Sequence, residues 1–284
     1  MTLKSLRLAT GARGAVAALA LLALPAPLTM AQPAPAGVAP TYADLADLAD
    51  SASLVVHGKV RKLARVEAER APGLRPGFGR FYVTADTIAL LTGSTPIGQS
   101  FSYLVDLPLD RAGKPMVRKK DAVFLFARTV PGRAAELQLV QRNGQVASNP
   151  ELEQRIRAIL TARLAPDAPG PVRGVREIIH VPGTLAGEGE TQIFLNTKDS
   201  SAASITVRHQ PGQPPVWGVS FSELVAQVGR PPARDTLEWY RLACFLPPAP
   251  PPGANMSEGP VAQRQAEVDY RYVMAELGPC QRTS

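Results

Sequence analysis

The sequence predicts a β-rich α+β protein. A small five-stranded barrel with a helix at its C-terminal end comes first, and a smaller α+β part follows, built from a three-stranded meander and helices. Three observations predict this. Between residues 54 and 141, short runs of alternating apolar and polar residues are separated by Gly, Pro and Asp clusters, the pattern of consecutive strands. Residues 149–165 switch to helical periodicity. After the Pro/Gly-rich stretch 165–174, alternation returns for three runs and then gives way to two helical segments.

The chain opens with Lys4, Arg7 and Arg13, then the uncharged apolar run 15–24, then Thr29 and Ala31 as small residues before Gln32. That is the pattern of a secretory signal peptide over 1–31. The run is shorter than the roughly 20 apolar residues a membrane-spanning helix needs. Residues 32–40, "QPAPAGVAP", read as a flexible leader. The expected destination is the periplasm or the exterior, with no membrane span once the signal is cleaved. Cleavage would lower the formal net charge from +7 to +4, a modest excess that argues against a nucleic-acid partner.

"TYADLADLAD", 41–50, places Tyr42, Leu45, Ala46 and Ala49 on one helical face, and Asp44, Asp47 and Asp50 read as its solvated side. In 54–63, Leu54, Val56, Gly58 and Val60 point one way, while Val55, His57, Lys59 and Arg61 point the other. His57 is therefore expected to be an exposed strand residue beside two cations. Further strands are expected at 80–93, 99–107, 121–129 and 136–141, with 121–129 apolar on both faces and hence central. In 149–165, Asn149 is the expected cap, Pro150 fits the first turn, and Leu152, Ile156, Ile159, Leu160 and Leu164 form the buried stripe. The expected organisation is a barrel domain over 41–165, a linker over 166–174 and an α+β domain over 175–284.

In that last part the meander spans 175–209. Ser220 and Glu223 of "SFSE" read as a capping box, and a mostly buried helix is expected over 235–246. The polyproline stretch 247–253 reads as a spacer before a helix at 260–277, where Val261, Val268, Tyr272 and Ala275 share one side. The two cysteines, Cys244 and Cys280, are expected to pair, because an exported chain meets an oxidising compartment and no CxxC motif is present.

The order "LADLADSASLVVHGKV", "FYVTADTIALLTG", "DAVFLFA", "ELQLVQ" resembles the netrin-like, tissue-inhibitor-of-metalloproteinase-like domains over about 41–148. The motifs are the Val56-His57-Gly58-Lys59-Val60 strand and the Thr92-Gly93 turn. The resemblance implies an OB-like barrel. Protease inhibition in that family relies on an N-terminal cysteine that grips zinc, and nothing between Gln32 and Tyr42 supplies one. The C-terminal part resembles exported bacterial proteins, a resemblance that implies no activity.

Catalytic patterns are missing from the sequence. Gly218-Val219-Ser220 is followed by Ser222 where a nucleophile elbow needs its second Gly. His57, His180 and His209 lack zinc-ligand spacing, although His180 and His209 fall on strands of one meander. Asp235, Glu238, Asp269 and Glu276 are explained by helix faces. No cofactor is implied. What remains is a set of cations on two loops: Arg70, Arg75 and Arg80 in 69–80, and Arg111, Lys114, Arg118, Lys119 and Lys120 in 110–120. If those loops share one end of the barrel they form a basic patch, and OB barrels bind ligands with such loops and the adjoining strand face. The expectation is a non-enzymatic binding protein whose partner is a protein or an anionic envelope ligand. The alternatives are a peptidase inhibitor with a different reactive edge and a hydrolase without a local motif, which would need His180 or His209 beside a Ser or a carboxylate in a pocket.

Overall fold

Thr41 starts the first helix by a reciprocal cap. Its Oγ1 accepts from the Asp44 N–H (3.1 Å), and its own N–H donates to Asp44 Oδ2 (2.8 Å). Helix α1 (Tyr42–Ser51) follows, then strand β1 (Leu54–Arg65). The computed structural model describes residues 39–222 and 229–283. The expected signal peptide, most of the expected leader and Glu223 lie outside the described residues. No helix among the described residues is long and apolar enough to cross a membrane.

β2 (Phe78–Gly93), β3 (Ser100–Pro108), β4 (Ala122–Val130) and β5 (Arg133–Leu139) complete a closed OB-like barrel in the order β1-β2-β3-β5-β4, with β4 returning to β1. The pleat sends Leu54, Val56 and Val60 inward with Phe81, Val83, Phe101, Tyr103 and Leu125. Gly58 is required there, because a Cβ would stand 2.7 Å from the Phe101 ring. A short strand, β6 (Gln145–Ala147), adds to β4 outside the barrel. Its three residues are too few to carry an alternating signal.

β4 is buried on both faces, as its composition requires. Val123, Leu125 and Ala127 fill the barrel, while Phe124 and Phe126 face outward onto helices. Those are α1 and α2 (Pro150–Leu164), the latter capped by Asn149 Oδ1 accepting from the Leu152 N–H (2.8 Å). Leu152, Ile156, Ile159 and Leu160 are buried, whereas Leu164, in the last turn, is exposed. His57 also differs from expectation. It is half-buried against Phe124 (ring centroids 4.4 Å apart), and its Nε2 is 3.0 Å from Ser148 Oγ. Phe124 comes from the neighbouring strand and Ser148 from the segment before α2, so the strand's own period carries no sign of either contact.

β7 (Val172–Pro182), β8 (Gly189–Thr197), β9 (Ser204–His209) and β10 (Val216–Ser220) form a four-stranded antiparallel meander. The expected three strands thus gain a fourth, and Ser220 ends a strand; its expected partner Glu223 is not among the described residues. α3 (Leu237–Ala243) and α4 (Gly259–Leu277) follow. Thr236, not Asp235, caps α3, with Oγ1 accepting from the Trp239 N–H (3.2 Å). α4 buries Ala266, Tyr270 and Val273, so the Val261 and Val268 side faces out, at 71% and 46% exposure. Between the helices, residues 254–256 run along the free edge of β7. The Ile178 N–H donates to Ala254 O (2.8 Å) and the Met256 N–H to Ile178 O (2.9 Å), so this edge is covered rather than left to pair elsewhere.

One apolar cluster runs from α1, α2 and the outer faces of β1 and β4 into the second sheet, α3 and α4. The acidic side of α1, expected to be solvated, is the seam of that junction. Asp44 is buried and accepts from Thr283 N and Oγ1. Asp47 pairs with Arg282 (2.6 Å) and accepts from the Tyr240 hydroxyl (2.6 Å). Asp50 takes Arg163 (2.8 Å) and Arg241, whose side chain is 5% exposed. Cys244, at the end of α3, and Cys280, just past α4, are joined in a disulfide. The bond secures the tail that carries Arg282 and Thr283.

Candidate functional site: a cleft on the outer barrel face

Outward residues of β2 and β3 alternate with the barrel core. Arg80 and Tyr82 from β2 stand beside Leu104 and Asp106 from β3, in the register Arg80↔Asp106 and Tyr82↔Leu104. Tyr82 and Leu104 are 38% and 53% exposed. Arg80 grips Asp106 through two bonds, Nε–Oδ1 at 2.7 Å and Nη2–Oδ2 at 3.0 Å. Those bonds hold the Asp106 carboxyl below the usual carboxylate range against the opposing effect of burial, and the Arg142 and Arg75 guanidiniums add to the depression.

β3 pairs with β5 at only Ser102↔Glu136 and Tyr103↔Leu137. Beyond that point the strands separate and a cleft of about 470 Å³ opens. Tyr103, Val105, Leu137 and Leu139 contribute its apolar lining, and Ser102, Gln138, Gln141 and Arg142 are among its polar groups. A second hollow shares Arg80, Tyr82 and Leu104 and continues towards Arg65 and Arg70. The two hollows share a wall of Arg80, Tyr82 and Leu104, and together they span the outer faces of β1, β2, β3 and β5.

The two basic loops meet at one end of the barrel. The Leu109 N–H donates to Gly77 O (2.8 Å), and Arg65 Nη1 reaches Gly113 O (3.4 Å). Their cations have different fates. Arg70 lines the groove, Arg75 stacks on Phe78 at 4.3 Å near its end, and Arg80 is spent on Asp106. Arg111, Lys114, Arg118, Lys119 and Lys120 are exposed and line neither hollow. Arg65, Arg142, Tyr82 and Leu104 were missed by reading the loops alone. The signal for the last two is an apolar residue at each outward position of neighbouring strands, where the pattern calls for a polar one.

The second sheet gathers another set of polar groups. Asp269 on α4 faces three successive strands. It accepts from Thr191 Oγ1, lies 2.8 Å from His209 Nε2, and accepts from Gln265 Nε2 (2.9 Å). His180 Nδ1 is 2.8 Å from Thr191 Oγ1, and the His180 backbone N–H donates to Ser257 Oγ (2.9 Å). His180 and His209 thus meet a carboxylate and a serine, as the hydrolase alternative required. Yet Thr191, Ser257 and Asp269 are all buried, and Ser257 Oγ serves the backbone. The cluster seats α4 on the sheet and offers no exposed nucleophile among its members. The described residues hold no group of three or more His, Cys, Asp or Glu placed to bind a metal.

Burial lowers the His180 pKa from its ordinary value, with the Asp269 charge opposing and His209 reinforcing. A histidine depressed on folding binds fewer protons in the folded state, so its stabilising contribution is complete above about pH 6.5 and is lost as pH falls below that. His57, also depressed by burial, acts in the same sense. The urea midpoint is expected to drop between pH 7.5 and pH 5.5, and to drop less in His180→Asn. An equal drop in both proteins would assign the effect elsewhere.

No protein-family model matches the chain, and no curated protein matches it.

Proposed function

We propose that this is an exported, non-enzymatic binding module that holds an anionic segment of a partner in the outer groove of the barrel. The observation that carries the reading is the cleft between β3 and β5, an apolar floor with Arg142 in its wall and with its two carboxylates, Asp106 and Glu136, already paired to Arg80 and Arg133; Arg70 lines the adjoining hollow. Arg70, Arg75 and Arg142 form no ion pair with a described residue, so their charge is available to a ligand. Arg80 holds the wall in shape through Asp106 instead of meeting the ligand. The Cys244–Cys280 bond and the signal-like N-terminus support export.

The test is titration of the disulfide-intact protein with poly-L-glutamate and with heparin, followed by fluorescence anisotropy. Reversal of Arg70, Arg75 and Arg142 to Glu is expected to weaken binding at least about tenfold, roughly 1.4 kcal/mol. Reversal of Arg118, Lys119 and Lys120 to Glu is expected to leave it within about twofold, because these residues sit off the groove and long-range attraction is screened beyond about 8 Å at physiological salt. The opposite ranking would move the site to the 110–120 loop. Failure of wild type to bind either polymer would overturn the reading.

A further inference from the structure

We infer that the occupant of this cleft is an extended polypeptide, inserted as a strand between β3 and β5. The inference rests on the binding reading above and names its partner class. It follows from the direction of the backbone groups. The β2–β3 register is unbroken, and the bonds just outside it, Thr87 N–H to Gln99 O (2.9 Å) and Leu109 N–H to Gly77 O (2.8 Å), make the odd-numbered β3 positions the hydrogen-bonded pairs with β2. Even-numbered positions therefore turn their N–H and C=O towards β5. The ladder to β5 stops at Tyr103↔Leu137. The Leu104 carbonyl and both backbone groups of Asp106 are left facing the cleft. Pro108 ends this edge, since it has no N–H and its carbonyl is taken by Met116 (3.1 Å).

The same argument applies to β5. It pairs with β4 in the register Ala127↔Leu139, and the Val140 N–H donates to Phe126 O (3.0 Å). Even positions of β5 therefore bond to β4, and Leu139 turns its N–H and C=O towards β3. Two strand edges thus face one another across an apolar gap. Proteins cover or blunt such edges because they template pairing with another chain; the free edge of β7 is covered in this way by residues 254–256. The β3–β5 gap is not.

A polypeptide satisfies this arrangement, and a polysaccharide or a free phosphate does not. Only a peptide backbone offers donors and acceptors alternating at strand spacing on both sides. Apolar side chains at alternate positions would lie against Tyr103, Val105 and Leu139. An acidic side chain or terminal carboxylate would meet Arg142, since the cleft's own carboxylates, Asp106 and Glu136, are already paired with Arg80 and Arg133. The partner segment is thus extended, alternating and acidic at one end.

The experiment is selection of a phage-displayed random octapeptide library on wild-type protein, with counter-selection on Leu104→Asp, an exposed position whose new charge repels an acidic apolar strand. Selected peptides are synthesised with and without N-methyl groups at single central positions. Alternating apolar residues with an acidic residue are expected, along with at least tenfold weaker binding on N-methylation and slowed hydrogen exchange at the Asp106 and Leu139 amides. Peptides that tolerate methylation and leave both amides unprotected would overturn strand insertion while leaving the groove as a binding site. An empty selection from protein that still binds poly-L-glutamate or heparin would have the same meaning. An empty selection together with no polymer binding would remove both readings.

Discussion

Asp50→Ala is expected to destabilise the protein by about 3 kcal/mol, the low end for losing a partner of a buried charge, since Arg241 is 5% exposed but Asp50 itself is 24% exposed. Asp50 receives Arg241 through Nη1 and through Nη2 (3.1 Å), and also Arg163 Nε (2.8 Å). Without it, the Arg241 guanidinium, in a side chain only 5% exposed, keeps one hydrogen bond, from Nε to Pro169 O at 3.3 Å, and its place over the Tyr240 ring at 5.3 Å. An uncompensated charge in a side chain that little exposed is poorly solvated, reached by water only through the hollow that Arg241 lines with Arg163 and Lys198. Arg163 lies at the rim, so Arg163→Ala is expected to cost less than about 1 kcal/mol, as rim pairs do. Urea denaturation of the two variants separates the cases. Equal losses would show that the α1 seam is held by apolar packing alone.

Breaking the Cys244–Cys280 bond is expected to remove about 4 kcal/mol by the loop-closure relation, given the sequence separation of 36. The loss has a location as well as a size. The disulfide holds the chain end against α1, where Thr41 Oγ1 donates to Gln281 O (2.9 Å), Arg282 pairs with Asp47 and Thr283 donates to Asp44. Those contacts are made by the chain end and depend on its being kept in place. Reduced protein, or Cys244→Ser with Cys280→Ser, is expected to lose residues from its C-terminus to carboxypeptidase under native conditions, while oxidised protein resists. A reduced protein with an unchanged melting temperature and a protected tail would show that the helices suffice without the bond.

The barrel strands were legible because their period of two records a wall with an apolar inside. Leu54, Val56 and Val60 of β1 and Phe101, Tyr103, Val105 and Leu107 of β3 all fell where alternation put them. Helix α2 was legible for the same kind of reason, with its cap at Asn149 and its stripe in register. β6 and β10 were not, since strands of three and five residues with Gly218 at the centre of the second leave little pattern to read. The groove was legible only at its rim. Arg70 and Arg75 stood out as loop cations, but Arg142 lies about seventy residues further along the chain and reaches the cleft wall only through the path of β5. The gap between β3 and β5 had no sequence signal, because a ladder's end is a relation between two strands.

The acidic side of α1 marks the limit most clearly. Asp44, Asp47 and Asp50 recur every third residue, and local chemistry assigns such a face to water. Their true partners, Thr283, Arg282 and Arg241, come from the far end of the chain. The sequence by itself determined the element types, the cap at Asn149, the cysteine pair and the inward faces of β1 and β3. Each of these is set by period, by residue chemistry or by interactions within a few positions. Tertiary structure alone decided which polar face became a seam, that His57 packs against Phe124 and Ser148, and where the β3–β5 ladder ends. Those outcomes depend on which surfaces meet, and a residue's own neighbours in sequence carry no record of that.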